Sequence, residues 1–454
     1  MDRSWFATLL SMKTWAANAR DAFKTQLWPI PTIAVIAALL LGLTLPVLES
    51  RINDNLPPTA SSWLFGGDAA AARSLLDSIS SSLITVTSLT FSLTVVTLQL
   101  ASSQFSPRLL RTFTSDQFVQ WTLALFLATF TFSLTVLRAV RSANGTGQSE
   151  FVPKFSVSLA FVLAISSVIG LVLFLAHLTA QIRVETMLKT VHEAASATMR
   201  DVLPERGTST NYLVDSVPPD HALVLLATSD GFLTWMEGGR LVEIAQGVEA
   251  RIYLTVYPGS FVVKGTPLGV AWSAVGGRLD DDAVESLCEQ VAGCIHTGFE
   301  RTAYQDVGYG LRQLTDVANK ALSPGVNDPT TAVHALGHIS AFLCDLADRD
   351  LDAQLLEGTD GQVCVTLDRP SLADYLELGI SQPCRYGASD PQVLSKIFQV
   401  LLDLSYRVLP EQHDIIRQQL SRVRATAQAQ DFDSVQMAGL VRLGGQVERN
   451  LRVH

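Results

Sequence analysis

The stretch FSVSLAFVLAISSVIGLVLFLAHLTA, residues 155–180, contains no Asp, Glu, Lys or Arg. Since about 20 apolar residues let an α-helix cross the hydrocarbon core of a bilayer, this stretch predicts a transmembrane helix. Three earlier runs, of 19, 26 and 20 residues, also lack these charged residues: 30–48, 78–103 and 118–137. The first run is not followed by a small-residue cleavage pattern, so we expect a retained helix rather than a signal peptide. The sequence therefore predicts an α-helical membrane domain of four transmembrane helices.

The composition changes after Arg183, where charged residues become frequent. The chain of 454 residues has a net charge of -10, and most of its acidic residues follow this point. An acidic surface repels phosphate backbones, which argues against a nucleic-acid partner. All five cysteines lie between residues 288 and 384, without the spacing of a disulfide framework or a zinc site. We therefore expect a reduced, cytoplasmic second half.

The pattern of runs and turns predicts an order of domains. Short strand-like runs between glycine and proline turns precede mainly helical sequence, which together indicate an α+β cytoplasmic domain. Its strand-rich part predicts a small β-barrel-like module, and its helical part a helical bundle. We expect an interfacial N-terminal helix at 1–27, the membrane domain at 28–183, a connecting helix and linker at 184–220, the β-rich module at 221–275 and the mainly helical domain at 276–454.

Cationic residues on the two sides of the spans indicate their orientation, because short cytoplasmic loops of membrane proteins are rich in Lys and Arg. One side carries Arg3, Lys13, Arg20, Lys24, Arg108, Arg111, Arg183, Lys189 and Arg200; the other carries Arg51, Arg73, Arg138, Arg141 and Lys154. The richer side predicts the cytoplasmic face. Both termini are then cytoplasmic, in a multi-pass protein of the bacterial inner membrane.

Hydroxyl side chains follow two stripes of the second span, at about 100° per residue. The first stripe holds the candidate pore-lining residues Ser81, Thr85, Ser88, Ser92, Gln99 and Ser103. The second holds Thr87, Thr90, Thr94 and Thr97. Small hydroxylated residues permit close helix packing in lipid, whereas a continuous row of them can line a water-filled path. Because the stripes lie on roughly opposite faces, we expect this helix to be surrounded by other helices or water.

A turn between two helices is the most distinctive cytoplasmic feature. Ser323-Pro324-Gly325 ends one helix, and Asp328-Pro329 has the order of an N-cap followed by the first helical residue. One interpretation makes Ser323, Gly325, Asn327 and Asp328 a binding site for an anion or a polar ligand. The other is a tight corner that serves packing alone, which the capping Asp328 favours.

His334 and His338 stand four residues apart on the second of these helices, a spacing that can hold a metal ion. The nearest carboxylates in sequence are Asp306 and Asp316, and either could approach the pair if the helices are antiparallel. Spacing alone is weak evidence for a metal. The sequence contains no phosphate-binding loop, dinucleotide fingerprint or nucleophile elbow, so we expect no cofactor and no enzyme.

Two unusual segments carry a resemblance to a known family. They are TSLTFSLTVVTLQLASSQFSPRLLRTF at residues 87–113 and ALSPGVNDPTTA at residues 321–332, with PGSFVVKGTPL at 258–268 in addition. On these segments the chain resembles the bacterial integral-membrane family known as domain of unknown function 2254, over nearly all of its length. The resemblance implies membrane helices followed by a soluble domain, and it assigns no activity and no catalytic residue.

Two functions compete at this point. Uncharged, hydroxyl-rich spans joined to a large soluble domain favour a homo-oligomeric channel or channel-like permeation protein, gated by its cytoplasmic domain and passing a small ion. The alternative is a non-conducting, membrane-anchored sensor or scaffold that binds a ligand or another protein through its cytoplasmic domain. In both, the lipid bilayer is a partner.

Overall fold

A computed structural model of the protein describes residues 28–52, 64–104, 116–141, 151–181, 183–207, 218–276, 279, 281–359 and 361–453. Within these ranges the side chains of residues 52, 101–104, 281–283 and 453 are not described. The expected N-terminal helix at 1–27 lies outside the described residues. The chain divides into two compact units, Met1–Arg183 and Val184–His454.

Four helices of the first unit are long and apolar enough to cross a membrane. They are α1 Pro29–Ile52, α2 Ala69–Gln104, α3 Gln117–Ala139 and α4 Lys154–Gln181. Helix α3 contacts each of the other three. Gly42 of α1 lies against Thr135 of α3, where an added Cβ would come within 2.9 Å of the Thr135 Cβ. A glycine at this position thus permits the close approach of two apolar helices.

Carboxylates cap three of these helices. Asp68 accepts a hydrogen bond from the Ala71 amide (2.8 Å), and Asp116 accepts one from the Phe118 amide (2.8 Å). Glu49, near the end of α1, accepts hydrogen bonds from the amides of Phe155 (3.1 Å) and Ser156 (2.8 Å) in the first turn of α4. The free amides of a helix N-terminus favour such negative groups, so Glu49 joins two spans that are distant in sequence.

The second unit begins with helix α5, Val184–Val202, which is separate from α4 because Arg183 is not helical. Its strands are β1 Leu223–Leu226, β2 Gly231–Met236, β3 Ala250–Leu254, β4 Phe261–Val262, β5 Pro267–Ser273, β6 Ile295–Gly298, β7 Gln354–Glu357 and β8 Val363–Leu367. The remaining elements are α6 Gly238–Gly247, α7 Asp281–Gly293, α8 Val307–Ala321, α9 Pro329–Ala347, α10 Leu372–Leu376, a π-helical turn Glu377–Ser381, α11 Gln382–Tyr386, α12 Pro391–Ser405, a 3₁₀ turn Pro410–Gln412, α13 His413–Gln428 and α14 Ser434–Val453.

The strands form two sheets rather than a closed barrel in the described part of the chain. A five-stranded sheet has the order β1-β5-β3-β8-β7, and a three-stranded sheet has the order β4-β2-β6. The four apolar helices and the α+β region behind them agree with the prediction from sequence, but the barrel-like form of the β-module is not found. Among the described residues, the two outermost strands of each sheet do not pair with each other, so neither sheet closes on itself.

The larger sheet includes strands from a distant part of the chain. Strand β8 runs parallel to β3, pairing Ile252 with Val365 and Leu254 with Leu367, and β7 pairs antiparallel with β8. The sheet is therefore not built from residues 221–275 alone. Helices α6 and α7 supply Leu241, Ile244 and Leu287 to its buried core.

One predicted helix is shorter than its sequence pattern. The sequence of residues 282–299 predicts a single helix, but α7 ends at Gly293 and residues 295–298 form β6, which pairs antiparallel with β2. Cys294 is buried in the core at the change of direction. The glycine at 293 ends the helix because it has the weakest helical preference after proline.

Helices α8, α9, α12, α13 and α14 form the core of the helical part, with α5 packed on α8 and α9. The apolar face of α8 is buried, including Leu311, Leu314 and Val317. Asp328 caps α9 as the sequence predicts, and Asp390 caps α12 in the same way, each followed by proline at the first helical position.

Candidate functional site

Helix α2 presents a polar face that the other helices of the membrane unit do not cover. Ser81, Thr85, Ser88, Ser92 and Gln99 are all exposed on this face. Exposed apolar side chains flank it on both sides: Ile84, Leu89, Phe91, Val95, Val96 and Leu100. The five described residues of the predicted pore-lining stripe thus lie on one exposed face, with Val95 and Val96 between Ser92 and Gln99. The side chain of Ser103, the sixth candidate, lies outside the described residues.

The opposite face of α2 carries the second stripe and is buried against its neighbours α3 and α4. Each threonine hydroxyl donates to a carbonyl oxygen four residues back: Thr87 to Leu83 (2.6 Å), Thr90 to Val86 (2.8 Å), Thr94 to Thr90 (2.8 Å) and Thr97 to Leu93 (2.9 Å). These hydroxyls are satisfied by their own helix. The threonine stripe therefore serves helix packing.

Hydrogen bonding differs along the exposed face. The hydroxyl of Ser81 donates to the Asp77 carbonyl oxygen (2.8 Å), and that of Thr85 to the Ser81 carbonyl oxygen (3.1 Å). Among the described residues, the side chains of Ser88, Ser92 and Gln99 make no hydrogen bond. Transfer of an amide without a hydrogen-bond partner from water into hydrocarbon costs roughly 4–8 kcal/mol. In a membrane, the Gln99 side chain therefore needs a hydrogen bond from water or from a second polar surface.

Asp77 extends the exposed face by one turn, and sequence analysis missed it. It lies four residues before Ser81 and is exposed. The uncharged run begins at Ser78, so a prediction based on uncharged length does not include the carboxylate just before it. The spacing of four residues from Asp77 to Ser81 to Thr85 was the signal that could have found it.

His177, near the end of α4, forms a hydrogen bond with Asp116. Its Nε2 atom lies 2.6 Å from Asp116 Oδ2, and the Gln181 amide nitrogen donates to the same oxygen (3.0 Å). The imidazole ring also packs on Phe118, with ring centroids 4.6 Å apart. This polar group connects the last turn of α4 to the first turn of α3.

The turn at residues 323–328 is closed by its own hydrogen bonds. The hydroxyl of Ser323 donates to the Lys320 carbonyl oxygen (2.6 Å), and the Asn327 amide donates to the Ser323 carbonyl oxygen (2.9 Å). Asn327 has φ of 48°, a left-handed conformation that asparagine tolerates better than most residues. Gly325 and Asn327 are exposed at the tip.

The capping residue of this turn, Asp328, also makes its hydrogen bonds within the corner. Asp328 accepts hydrogen bonds from the amide (3.0 Å) and the hydroxyl (2.6 Å) of Thr331, and these bonds lower the pKa of its carboxyl. The hydroxyl of Ser323 and the carboxylate of Asp328 thus both make hydrogen bonds within the corner itself. Ligand binding at Ser323, Gly325, Asn327 and Asp328 stays a prediction.

Of the pair His334 and His338, the second faces a third histidine that sequence analysis did not connect with it. The His192 ring of α5 lies 5.2 Å from the His338 ring, measured between centroids. Within the described residues, no group of three or more His, Cys, Asp or Glu side chains is arranged to hold a metal ion. Metal binding by His334 and His338 stays a prediction.

Asp306, considered above as a carboxylate that could approach the histidine pair, instead forms an ion pair with Arg301. The guanidinium donates to both carboxylate oxygens, Nε to Oδ2 (2.7 Å) and Nη2 to Oδ1 (2.9 Å). Asp306 is only 4% exposed, and burial raises its pKa to about 6 against the opposing effect of Arg301. Gly259 packs on the carboxylate with φ of 94°, so the β-turn before β4 and the start of α8 meet at this ion pair.

The comparison with known families agrees with this architecture. Residues 24–403 match the family described as "Predicted membrane protein (DUF2254)". The chain belongs to this family. The DUF2254 resemblance expected from residues 87–113 and 321–332 is thereby confirmed, and so is the broader prediction of a membrane protein.

Relatives in this family extend over nearly the whole chain. An uncharacterized protein of Mycobacterium bovis and one of Mycobacterium tuberculosis are each 33% identical over 442 residues, covering 95% of this chain and 82% of the relative. No solved structure matches the chain. Both relatives are described only as uncharacterized proteins.

Proposed function

We propose that the protein is a homo-oligomeric channel or channel-like permeation protein of the bacterial inner membrane. The observation that supports this most is the exposed polar face of α2, where Ser88, Ser92 and Gln99 make no side-chain hydrogen bond to any described residue. Lipid cannot satisfy these groups, whereas water in a pore or the same face of a second copy can. Several copies arranged around an axis would bring these faces together and line a path for a small ion.

The apolar side chains beside the polar face fit this arrangement. Phe91 and Val95 on one flank, and Val96 and Leu100 on the other, are exposed. In a ring of α2 helices these flanks would pack on neighbouring copies, while the polar row between them would face the axis. A path lined by hydroxyls avoids the cost of placing charges at membrane depth.

The orientation proposed with this function places both termini and the unit from Val184 to His454 in the cytoplasm. It rests on the larger number of Lys and Arg residues on that side of the spans. The five cysteines are all free, as expected in a reducing compartment. In this orientation Asp77 is at the outer end of the polar face, where a carboxylate attracts cations.

Conductance of the full chain in planar bilayers tests the proposal, with two variants that make the same chemical change on opposite faces of α2. Thr85→Val removes a hydroxyl from the exposed face, and Thr94→Val removes one from the buried face. We expect Thr85→Val, and also Gln99→Leu, to change unitary conductance or ion selectivity several-fold. Thr94→Val should leave both unchanged, since its hydroxyl is buried on the opposite face of α2.

Absence of current in all salts and at all pH values tested would contradict permeation, and so would equal effects of the two valine variants. A monomer by native mass spectrometry in detergent would contradict the oligomer. In that case a stabilising response of the full chain in a thermal-shift screen would support the sensor or scaffold alternative, because a ligand that binds only the folded protein raises its apparent stability.

A further inference from the structure

A single carboxylate, that of Asp77, lies at one end of the exposed polar face of α2. Asp77 precedes Ser81 and Thr85 at intervals of four residues, and the Ser81 hydroxyl donates to its carbonyl oxygen (2.8 Å). The Asp77 side chain is exposed and makes no hydrogen bond or ion pair with any residue that the structure describes. Its negative charge is therefore not neutralised within this part of the chain.

The cation nearest to Asp77 in sequence, Arg73, is bound elsewhere. It lies four residues before Asp77, a spacing at which opposite charges on a helix can pair. Its guanidinium instead donates to the Val140 carbonyl oxygen (2.9 Å), at the C-terminal end of α3. The carbonyl groups at a helix C-terminus favour a cation, so α3 holds this guanidinium and the Asp77 carboxylate keeps its charge unpaired.

The rest of the polar face is neutral. Residues 78–100 of α2, up to its last described side chain, include no Asp, Glu, Lys or Arg. Hydroxyl and amide groups have both donor hydrogens and acceptor oxygens, so they can interact with anions as well as with cations. A path lined by these groups alone would not discriminate ions by the sign of their charge. On the described part of this face, Asp77 is the residue that can do so.

The length of α2 allows Asp77 to lie outside the hydrocarbon core of a bilayer. The helix has 36 residues, so at 1.5 Å per residue it is about 54 Å long, whereas the hydrocarbon core is about 30 Å thick. The uncharged run of 26 residues that follows Asp77 is long enough to span this core by itself. A carboxylate at this end can therefore meet water, which avoids the cost of a charge at membrane depth.

We infer that Asp77 makes the proposed path selective for cations, with one carboxylate from each copy of the chain surrounding its outer opening. This inference rests on the permeation proposed above, and it names the class of ion that passes. A ring of carboxylates raises the local concentration of cations and lowers that of anions. The hydroxyl-rich face behind it then conducts the ions that the ring has selected.

Reversal potentials of the full chain in planar bilayers test this selectivity, in a KCl gradient around 0.1 M, where the Debye length is about 10 Å. We expect the unaltered protein to have a K⁺/Cl⁻ permeability ratio above one, and Asp77→Asn to lower this ratio several-fold. Asp77→Glu, which keeps the charge, should keep the ratio.

Asp68→Asn is the matched control, because it removes another exposed carboxylate at the same end of α2. Asp68 lies nine residues before Asp77, which at about 100° and 1.5 Å per residue places it on the opposite side of the helix and about 14 Å away along its axis. Asparagine caps a helix about as well as aspartate, so the bond to the Ala71 amide should persist. The K⁺/Cl⁻ ratio of this variant should equal that of the unaltered protein.

Screening by salt gives a second measurement that needs no variant. At about 1 M salt the Debye length falls to about 3 Å, so the K⁺/Cl⁻ ratio of the unaltered protein should fall as the salt concentration rises from about 0.1 to 1 M. Current with a ratio of one or less, or with a ratio independent of salt, would overturn the inference and leave permeation standing. Equal ratios for Asp77→Asn and Asp68→Asn would do the same. Absence of current in the unaltered protein would overturn both the selectivity and the permeation.

Discussion

At the scale of single residues, the buried Asp306 predicts how the folding stability depends on pH. Its carboxylate is enclosed by Arg301 and Gly259 where the β-module meets α8. Burial has a greater effect on its pKa than the guanidinium, since the net shift is upward, to about 6. When removing an ion pair from water costs more than the attraction between its charges returns, the pair fixes the position of its groups more than it stabilises the fold.

Asp306 should make the folding stability depend on pH. Between about pH 4 and 6 the unfolded chain releases this proton while the folded protein retains it, so the free energy of unfolding should fall by about 3 kcal/mol as the pH rises. Denaturant unfolding of the full chain in detergent measures this. Asp306→Asn should remove that part of the slope, whereas Asp414→Asn, at an exposed carboxylate, should keep it. Identical slopes for the two variants would contradict the assignment.

Individual residues also show what the sequence could and could not reveal. Asp328 and Pro329 were recognised as a helix start because capping is a local property of neighbouring residues. Asp306 was considered as a metal ligand, since nothing in the sequence indicates that Arg301 folds back onto it. The sequence does not connect His192 with His338. These residues are 146 positions apart, and only the packing of their two helices brings them together.

At the scale of elements, helix packing in the second unit depends on one close contact. A Cβ added to Gly310 of α8 would lie 2.2 Å from the Cβ of Ala195 on α5, which is too close without a shift of one helix. The glycine weakens α8 locally but allows the two helices to approach. Packing is therefore favoured over helix propensity at this position.

The substitution Gly310→Ala should destabilise the protein by about 1–3 kcal/mol, because overpacking costs more than the gain in helix propensity. Gly439→Ala in α14 is a matched control, since no atom lies within 4 Å of its added Cβ. That variant should be neutral or more stable by up to about 1 kcal/mol. Thermal unfolding of both variants measures the difference, and a stabilised Gly310→Ala would contradict the contact.

Elements also differed in how well their patterns predicted them. The four spans were found because uncharged length is a strong signal. The end of α7 was missed, since Cys294 and Ile295 continue an apolar helical pattern that becomes a strand only through pairing with β2. On α2, periodicity correctly separated two polar stripes, but only the packing of α3 and α4 distinguished the buried stripe from the exposed one.

At the scale of the whole molecule, the proposed orientation can be tested with thiols already present. All five cysteines are free and lie in the second unit, and Cys288, Cys344 and Cys364 are half-buried rather than fully enclosed. A membrane-impermeant thiol reagent should not label the unaltered protein in intact cells, and should label it after permeabilisation. Arg141→Cys, at an exposed position on the expected outer side, should be labelled in intact cells. The reverse pattern would contradict the orientation.

The parallel pairing of β8 with β3 has a consequence for biosynthesis. The central strand of the sheet, Ala250–Leu254, leaves the ribosome more than a hundred residues before the strand that lies beside it. Until then β3 has an unpaired edge, with hydrogen-bonding groups open to other chains. Nascent chains that stop before residue 363 should therefore need chaperones or be degraded, because the sheet is completed only after β8 has been synthesised.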